Sequence, residues 1–431
     1  MNTIARNHYL QLLINKKENS MVKIITGIRR CGKSYLLFNI YYNYLLSQGV
    51  PKDHIITLSL DEDENKEYRN IDHLRTYLNN KIYNDSDTFY LLLDEVQFAI
   101  SDEELKLKGK EPIRLYGLLN SLMHHKNIDV YVTGSNSKFL STDVRTEFRG
   151  RGDEVRVYPL TFAEFFSVYG GDKYDAFDEY CTYGGLPMIL SMKTNAEKSQ
   201  YLSNLLKNVY LNDIIERYSL RDNIILDNLL DVLASSIGSL TNPTRLANTF
   251  LSNGIKTNDN TISSYIDYCM DAFLINKAKR YNIKGRKYIN SPFKYYFTDI
   301  GLRNARLNFR QQEQTHIMEN IIYNELLVRG FNVDVGIVEK HTKDSEGKQI
   351  ITRLEVDFVC NQGDQRYYIQ SAFAIPDEGK MLQEQASFDS INDSFKKIII
   401  VNHPHKLFHN EKGYVIMGLV NFLLDPNSLE R

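Results

Sequence analysis

Residues 25–34 run Ile25-Thr26-Gly27-Ile28-Arg29-Arg30-Cys31-Gly32-Lys33-Ser34, and this stretch decides the fold. The apolar run VKIIT (22–26) leads into it, and SYLLFNIYYNYLLSQ (34–48) follows with helical apolar spacing. A strand that feeds a G-x-x-x-x-G-K-S loop, which then opens a helix, makes a phosphate cradle. The glycines let backbone amides turn towards an anion at the helix N-terminus. In such a loop Lys33 neutralises the β- and γ-phosphates, and the Ser34 hydroxyl serves as a ligand for Mg²⁺. The expected nucleotide contacts are Gly27, Ile28, Arg29, Arg30, Cys31, Gly32, Lys33, Ser34 and Tyr35.

Working outward, the run TFYLLLD (88–94) closes in Asp94-Glu95. An apolar strand ending in adjacent carboxylates suits NTP hydrolysis. Asp94 is placed to hold the Mg²⁺ shell, and Glu95 to orient and polarise the attacking water. The next strand, DVYVTG (129–134), runs into Ser135-Asn136-Ser137, where Ser135 or Asn136 is expected to sense the γ-phosphate or the water; a plain helix-capping turn is the alternative. FRGRGD (148–153) precedes a fifth strand, EVRVYPL (154–160). Arg151, or else Arg149, is the candidate arginine finger towards a neighbouring subunit's site.

With HIITLSL (54–60) these runs make five uniformly apolar strands separated by helix-sized segments, including PIRLYGLLNSLMHH (112–125). That pattern predicts an α/β unit with a parallel sheet covered on both faces. From about residue 161 the chain turns helical. LLDVLASSIGSL (229–240), the Asn242-Pro243 helix start and TISSYIDYCMDAF (261–273) precede LINKAKRYN and RKYINSPFKYYFTD. Three helices followed by a two-stranded wing is the order of a winged helix-turn-helix. HIMENIIYNELLVRG (316–330) and the strands VDVGIVEK, RLEVDFVCN, YYIQSAF and KKIIIVN predict a further small α/β domain. The expected division is 1–160, 161–222 as a helical lid, 223–300 and 301–431.

The segments GIRRCGKS, LLLDE, VTGSNSKFLS, FRGRG and YPLTFAEF resemble a large prokaryotic family of AAA-type ATPases. YLNDIIERY (210–218), YYFTDIGLR (295–303) and MENIIYNELLVRG (318–330) extend the likeness over nearly the whole chain. The resemblance implies a P-loop NTPase sheet of order 5-1-4-3-2, ATP as the nucleotide, a winged helix, a homo-oligomer and a C-terminal domain of restriction-endonuclease-like fold. Nucleases of that fold use a helical acid, a strand acid and then E-x-K on the next strand. Glu319 and Asp357 fall in order here, but Gln370 replaces the second acid and Ala372 stands where the lysine belongs. Cleavage is therefore not expected.

The wing carries Lys277, Lys279, Arg280, Lys284, Arg286 and Lys287, interleaved with Tyr281 and Tyr288, which suits DNA phosphates; a solvated hairpin or a protein-contact winged helix is the alternative. The net charge of −2 over 431 residues rules out a global field for nucleic acid, so any such contact must be local. Cys31, Cys181, Cys269 and Cys360 have neither metal-site nor redox-motif spacing, and His403 and His405 lack an acid cluster beside them. There is no apolar run of membrane-spanning length and no secretory leader pattern, so a cytoplasmic protein is expected. Three functions follow as expectations: an ATP-driven oligomer acting on DNA, a nucleotide-gated switch with a protein partner, and an ATP-regulated nuclease, the last disfavoured by Ala372.

Overall fold

The computed structural model describes residues 4–84, 86–101, 103–104, 111–134, 152–220, 223–310, 313–343, 349–374, 378–404 and 406–431. They fall into two compact units: Met1–Pro159 with Asp213–Ser219, and Leu160–Asn212 with Leu220–Arg431.

The first unit holds a five-stranded sheet of β1 (Val22–Thr26), β2 (Ile55–Ser59), β3 (Phe89–Asp94), β4 (Ile128–Thr133) and β5 (Gly152–Arg156). Every pairing is parallel, and the order β2-β3-β4-β1-β5 is the expected one. β1 and β3 are buried along their whole length. Leu74 and Leu78 from the helix Ile71–Lys81, and Leu118 and Leu119 from Arg114–Leu122, join Leu91, Leu93 and Val132 in one apolar core. Parallel order brings the C-terminal ends of β1, β3 and β4 to the same sheet edge, and there the loop, Asp94 and Thr133 meet. The helix after the loop spans residues 33–47, with a π turn at Leu36–Tyr41 that buries Tyr41. Its hydroxyl donates to that of Tyr131, which donates to Asp129, the buried partner of Lys23. Desolvation lowers the Lys23 ammonium from its ordinary value even though Asp129 opposes this.

In the second unit the segment Thr298–Asn304 is a buried polar hub. Asp299 caps the helix Ile300–Arg306 by accepting from the Leu302 amide (3.0 Å), and it also accepts from the Gly185 amide (2.8 Å). Arg303, fully buried, donates to the Ala234 carbonyl at 2.8 Å, and Asn304 donates to the carbonyls of Cys181 and Thr182, each at 2.9 Å. Gly301 is obligatory, because a Cβ there would lie 2.0 Å from the Tyr183 carbonyl oxygen. The YYFTDIGLR motif is therefore a fastening of three chain segments, carried out by backbone carbonyls and amides.

An eight-stranded sheet completes this unit: β6 (Ile275–Asn282), β7 (Lys287–Phe297), β8 (Asn332–Lys343), β9 (Gln349–Gln362), β10 (Gln365–Ala372), β11 (Lys396–Val401), β12 (Phe408–His409) and β13 (Val415–Gly418), in the order β12-β13-β11-β10-β9-β8-β6-β7. The hairpin read as the wing is hydrogen-bonded into the sheet, with Tyr281 on β6 in parallel register with Gly336 on β8. The reason is packing. Ile283 belongs to the apolar cluster of Val338, Val356, Val359 and Ile399, and a Cβ on Gly336 would lie 2.9 Å from the Ile283 methyl. One sheet therefore carries strands from both sides of residue 300. The helix Gln314–Val328 precedes the meander β8-β9-β10, and Glu378–Asp389 precedes β11, which runs parallel to β10.

Candidate functional site

The phosphate loop leaves β1 through Gly27, whose φ is +138° and where a Cβ would lie 2.1 Å from the Val157 carbonyl oxygen. Only glycine allows that approach. Gly32, with φ of +97°, turns the chain into the helix. The loop floor is fastened from below. Arg6, buried, donates to the carbonyls of Cys31 (3.1 Å) and Tyr158 (2.7 Å), and the Tyr9 hydroxyl accepts from the Tyr158 amide at 3.1 Å. Lys33 is buried as well, and its ammonium donates to the carbonyls of Gly27 (3.0 Å) and Ile28 (3.1 Å). Ser34 and Tyr35 are exposed at the helix start, and Ile28 and Cys31 face the core.

Asp94 ends β3 with 3% exposure, and it takes hydrogen bonds from the hydroxyls of Thr133 and Ser34. Burial pushes its carboxyl above the ordinary carboxylate range, and the two hydroxyls oppose the rise. Glu95 follows with φ of +50° and ψ of +45°, a left-handed backbone that costs a non-glycine residue about 1–3 kcal/mol and recurs at functional sites. The kink is held by the Glu95 amide, which donates to Thr133 Oγ1 at 3.2 Å, and by the Gln97 side-chain amide, which donates to the Glu95 carboxylate. A carboxylate and two hydroxyls beside an amide cradle form an all-oxygen set that fits ATP·Mg²⁺. Ser135, Asn136, Arg149 and Arg151 lie outside the described residues.

Sequence reasoning missed three members of this neighbourhood. Thr133 was visible only as one of several polar residues after a strand. Gln97 carried no signal. Asp213 pairs with Arg29 of the loop, Nε to Oδ2 at 2.9 Å, and its signal was the YLNDIIERY run, which had no assigned role. Burial pushes the Asp213 carboxyl up, against the pull of Arg29.

The second candidate site lies in the second unit. Glu319 on the helix Gln314–Val328 and Asp357 on β9 come together as expected, joined by Glu355. The cation absent at Ala372 arrives from β7. Lys294, 3% exposed, places its ammonium 2.8 Å from Glu319 Oε1, 2.8 Å from Glu355 Oε1 and 3.9 Å from Asp357 Oδ1. Tyr296 donates to Glu319 Oε1 at 2.6 Å, and the Ser371 amide donates to Asp357 Oδ2 at 2.8 Å. Desolvation would lower the Lys294 ammonium, but the three carboxylates outweigh it and hold it above its ordinary value. Burial, with Glu319 nearby, pushes the Asp357 carboxyl up to about 8. Among the described residues no group of three or more His, Cys, Asp or Glu is arranged to hold a metal ion. His405 lies outside the described residues.

Of the wing cations, Lys279, Lys284, Arg286 and Lys287 are exposed around the hairpin turn. Lys277 is half-buried with its ammonium 5.0 Å from the centre of the Phe293 ring, and Arg280 is half-buried too. The helix Asp259–Asp271 exposes Asp259, Asn260 and Asp267. No helix among the described residues is long and apolar enough to cross a membrane.

Compared with known proteins, residues 19–166 match an AAA domain, and residues 174–313 match a domain of unknown function (DUF8612). The chain is 32% identical over 426 residues to an uncharacterised protein of Haemophilus influenzae, covering 98% of each chain. It is 25% identical over 402 residues to an uncharacterised protein of Methanocaldococcus jannaschii, covering 90% of this chain and 82% of the other. Among solved structures, AMPPCP-bound DnaA from Aquifex aeolicus aligns over 61% of this chain and 86% of its own, with 15% identity and a TM-score of 0.31.

Proposed function

The chain, with its AAA domain, belongs to the family of that Haemophilus influenzae protein, and from this premise we propose that it binds ATP·Mg²⁺ and hydrolyses it slowly. The observation that carries the reading is the convergence of Ser34, Asp94 and Thr133 beside the loop, with Glu95 kinked out of the strand next to them. Amides of the loop and the Lys33 ammonium bind the phosphates, and Ser34 and Asp94 hold the cation shell. Mg²⁺, when bound, supplies positive charge to the β- and γ-phosphate oxygens. Glu95, turned by its left-handed backbone and steadied by Gln97, orients water towards the γ-phosphate. Arg151, or Arg149, completes the site of a neighbouring copy in an oligomer. Mixing Lys33→Ala subunits with Arg151→Ala subunits tests that step: turnover returns if the arginine acts in trans.

The partner under this reading is DNA, held by phosphate contacts from Lys279, Lys284, Arg286 and Lys287. Base reading is not part of it, because the exposed face of the helix Asp259–Asp271 is acidic. That same acidic face favours the second reading, a nucleotide-gated switch whose partner is a protein. ATP turnover with and without duplex, forked and single-stranded DNA separates the two: stimulation supports the first and indifference the second. Cleavage is not proposed. A lysine pinned 2.8 Å from each of two carboxylates, at 3% exposure, is unavailable to activate water.

A further inference from the structure

We propose that the Arg29–Asp213 ion pair is a latch opened by the nucleotide's phosphates, which makes Asp213 a positioning residue that sets both ATP affinity and the docking of residues 213–219. The inference rests on the ATP reading above and deepens it. Arg29 lies in the middle of the phosphate loop, and both members of the pair are only partly exposed, at 29% and 26%. Asp213–Ser219 belongs to the nucleotide-binding unit although residues on either side of it, Leu160–Asn212 and Leu220–Arg431, make up the other. Within that unit Asp213 is tied to the loop by this pair, and Ile214 next to it is fully buried. Glu216 and Glu95 also act electrostatically on Asp213, each opposing its charge.

The physical argument is competition for one guanidinium. Phosphate oxygens carry more charge than a carboxylate and match the guanidinium fork equally well, so bound nucleotide draws Arg29 away from Asp213. Linkage makes the effect reciprocal. Whatever factor nucleotide takes from the pair, Asp213 takes from nucleotide affinity.

The test uses the full-length chain with ATP·Mg²⁺ as the probe. Asp213→Asn keeps the shape and removes the competing charge, so its Kd for ATP should fall about fivefold or more. Amide exchange of residues 213–219 should accelerate when ATP is added to the wild-type chain, and should be fast and ATP-independent in Asp213→Asn. Asp213→Glu, which keeps a carboxylate in reach, should return the affinity towards wild type, so a fault in folding is not mistaken for release. A purely structural Asp213 would not give tighter binding on its loss. Equal or weaker ATP affinity in Asp213→Asn, or exchange that ATP leaves unchanged in the wild type, overturns the latch alone. Failure of the wild-type chain to bind ATP in the same titration overturns the ATP reading, and the latch with it.

Discussion

Asp94 and Asp357 are both buried strand carboxylates, and their surroundings differ in one respect. Around Asp94 the partners are neutral hydroxyls, from Ser34 and Thr133. Around Asp357 an ammonium is built in, because Lys294 reaches over from β7 and satisfies Glu319 and Glu355 at the same time. Under the ATP reading, the acid lined by hydroxyls is the one that takes the cation. Glu319 and Glu355, sharing their own cation, are part of the core, and burial beside them pushes the Asp357 carboxyl up. Two strand acids that look alike as letters therefore sit in opposite surroundings.

The sharpest way to break this contrast is at the first site. Lys33→Ala should abolish detectable ATP binding. Glu95→Gln should leave binding intact and slow turnover by about 10²–10⁴-fold, followed by phosphate release. Unchanged turnover in the Glu95 variant would remove that residue from the chemistry. At the second site, Lys294→Met should cost about 3–5 kcal/mol of stability in chemical denaturation, because it leaves buried carboxylates uncompensated. Adding Glu319→Gln should recover part of that loss, since one of the orphaned charges goes with it. A Lys294→Met chain as stable as wild type would mean that the cluster was never neutralised by this lysine.

A smaller effect concerns pH. The Asp357 carboxyl is raised from an ordinary 3.8 to about 8, so the folded chain binds the proton more tightly than the unfolded one. Its contribution to stability is complete below about pH 4 and is lost as pH rises through about 8. Melting temperatures followed across this window should fall less steeply in Asp357→Asn than in wild type; parallel curves would disprove the assignment. The smallest effect lies on the surface. Replacing Lys284, Arg286 and Lys287 together should weaken DNA binding to all sequences and reduce the salt slope by roughly 2–3. Glu319→Ala and Asp357→Ala should leave that binding largely intact, and neither Mg²⁺ nor Mn²⁺ should produce cutting.

What could be read from sequence divides along the same line. The phosphate loop, Asp94-Glu95 and all five strands of the first sheet are local signals: a motif of a few residues, or an apolar run with flanking turns. The fifth strand ends at Arg156, earlier than its apolar letters suggest: the Val157 amide still donates to the Thr26 carbonyl (2.8 Å), but the Val157 carbonyl and the Tyr158 backbone turn to support the loop from below. Lys294 escaped notice for the opposite reason. The pattern directed attention to Ala372 on β10, whereas the cation comes from a strand whose nearness is decided by non-local pairing, with β6 beside β8. Asp213 is the same case, since nothing in YLNDIIERY says that its first acid returns to Arg29. Packing of Ile283 against Gly336 likewise drew the hairpin into the sheet, a choice that depends on a missing Cβ more than fifty residues away.

The hub around Asp299 has a consequence for biosynthesis. Asp299 to Gly185 and Asn304 to Cys181 are contacts between residues 114 and 123 positions apart, and they supply acceptors and donors for backbone groups that are otherwise buried. While the ribosome is still short of residue 304, the helices after residue 160 have hydrophobic faces and no keystone, so the second unit has to wait in a loose state as it emerges. Shortened versions of the chain that stop anywhere between about residue 185 and residue 304 should consequently be prey for proteases, and any attempt to express the helical segment alone will need the strand and helix that carry Asp299, Arg303 and Asn304.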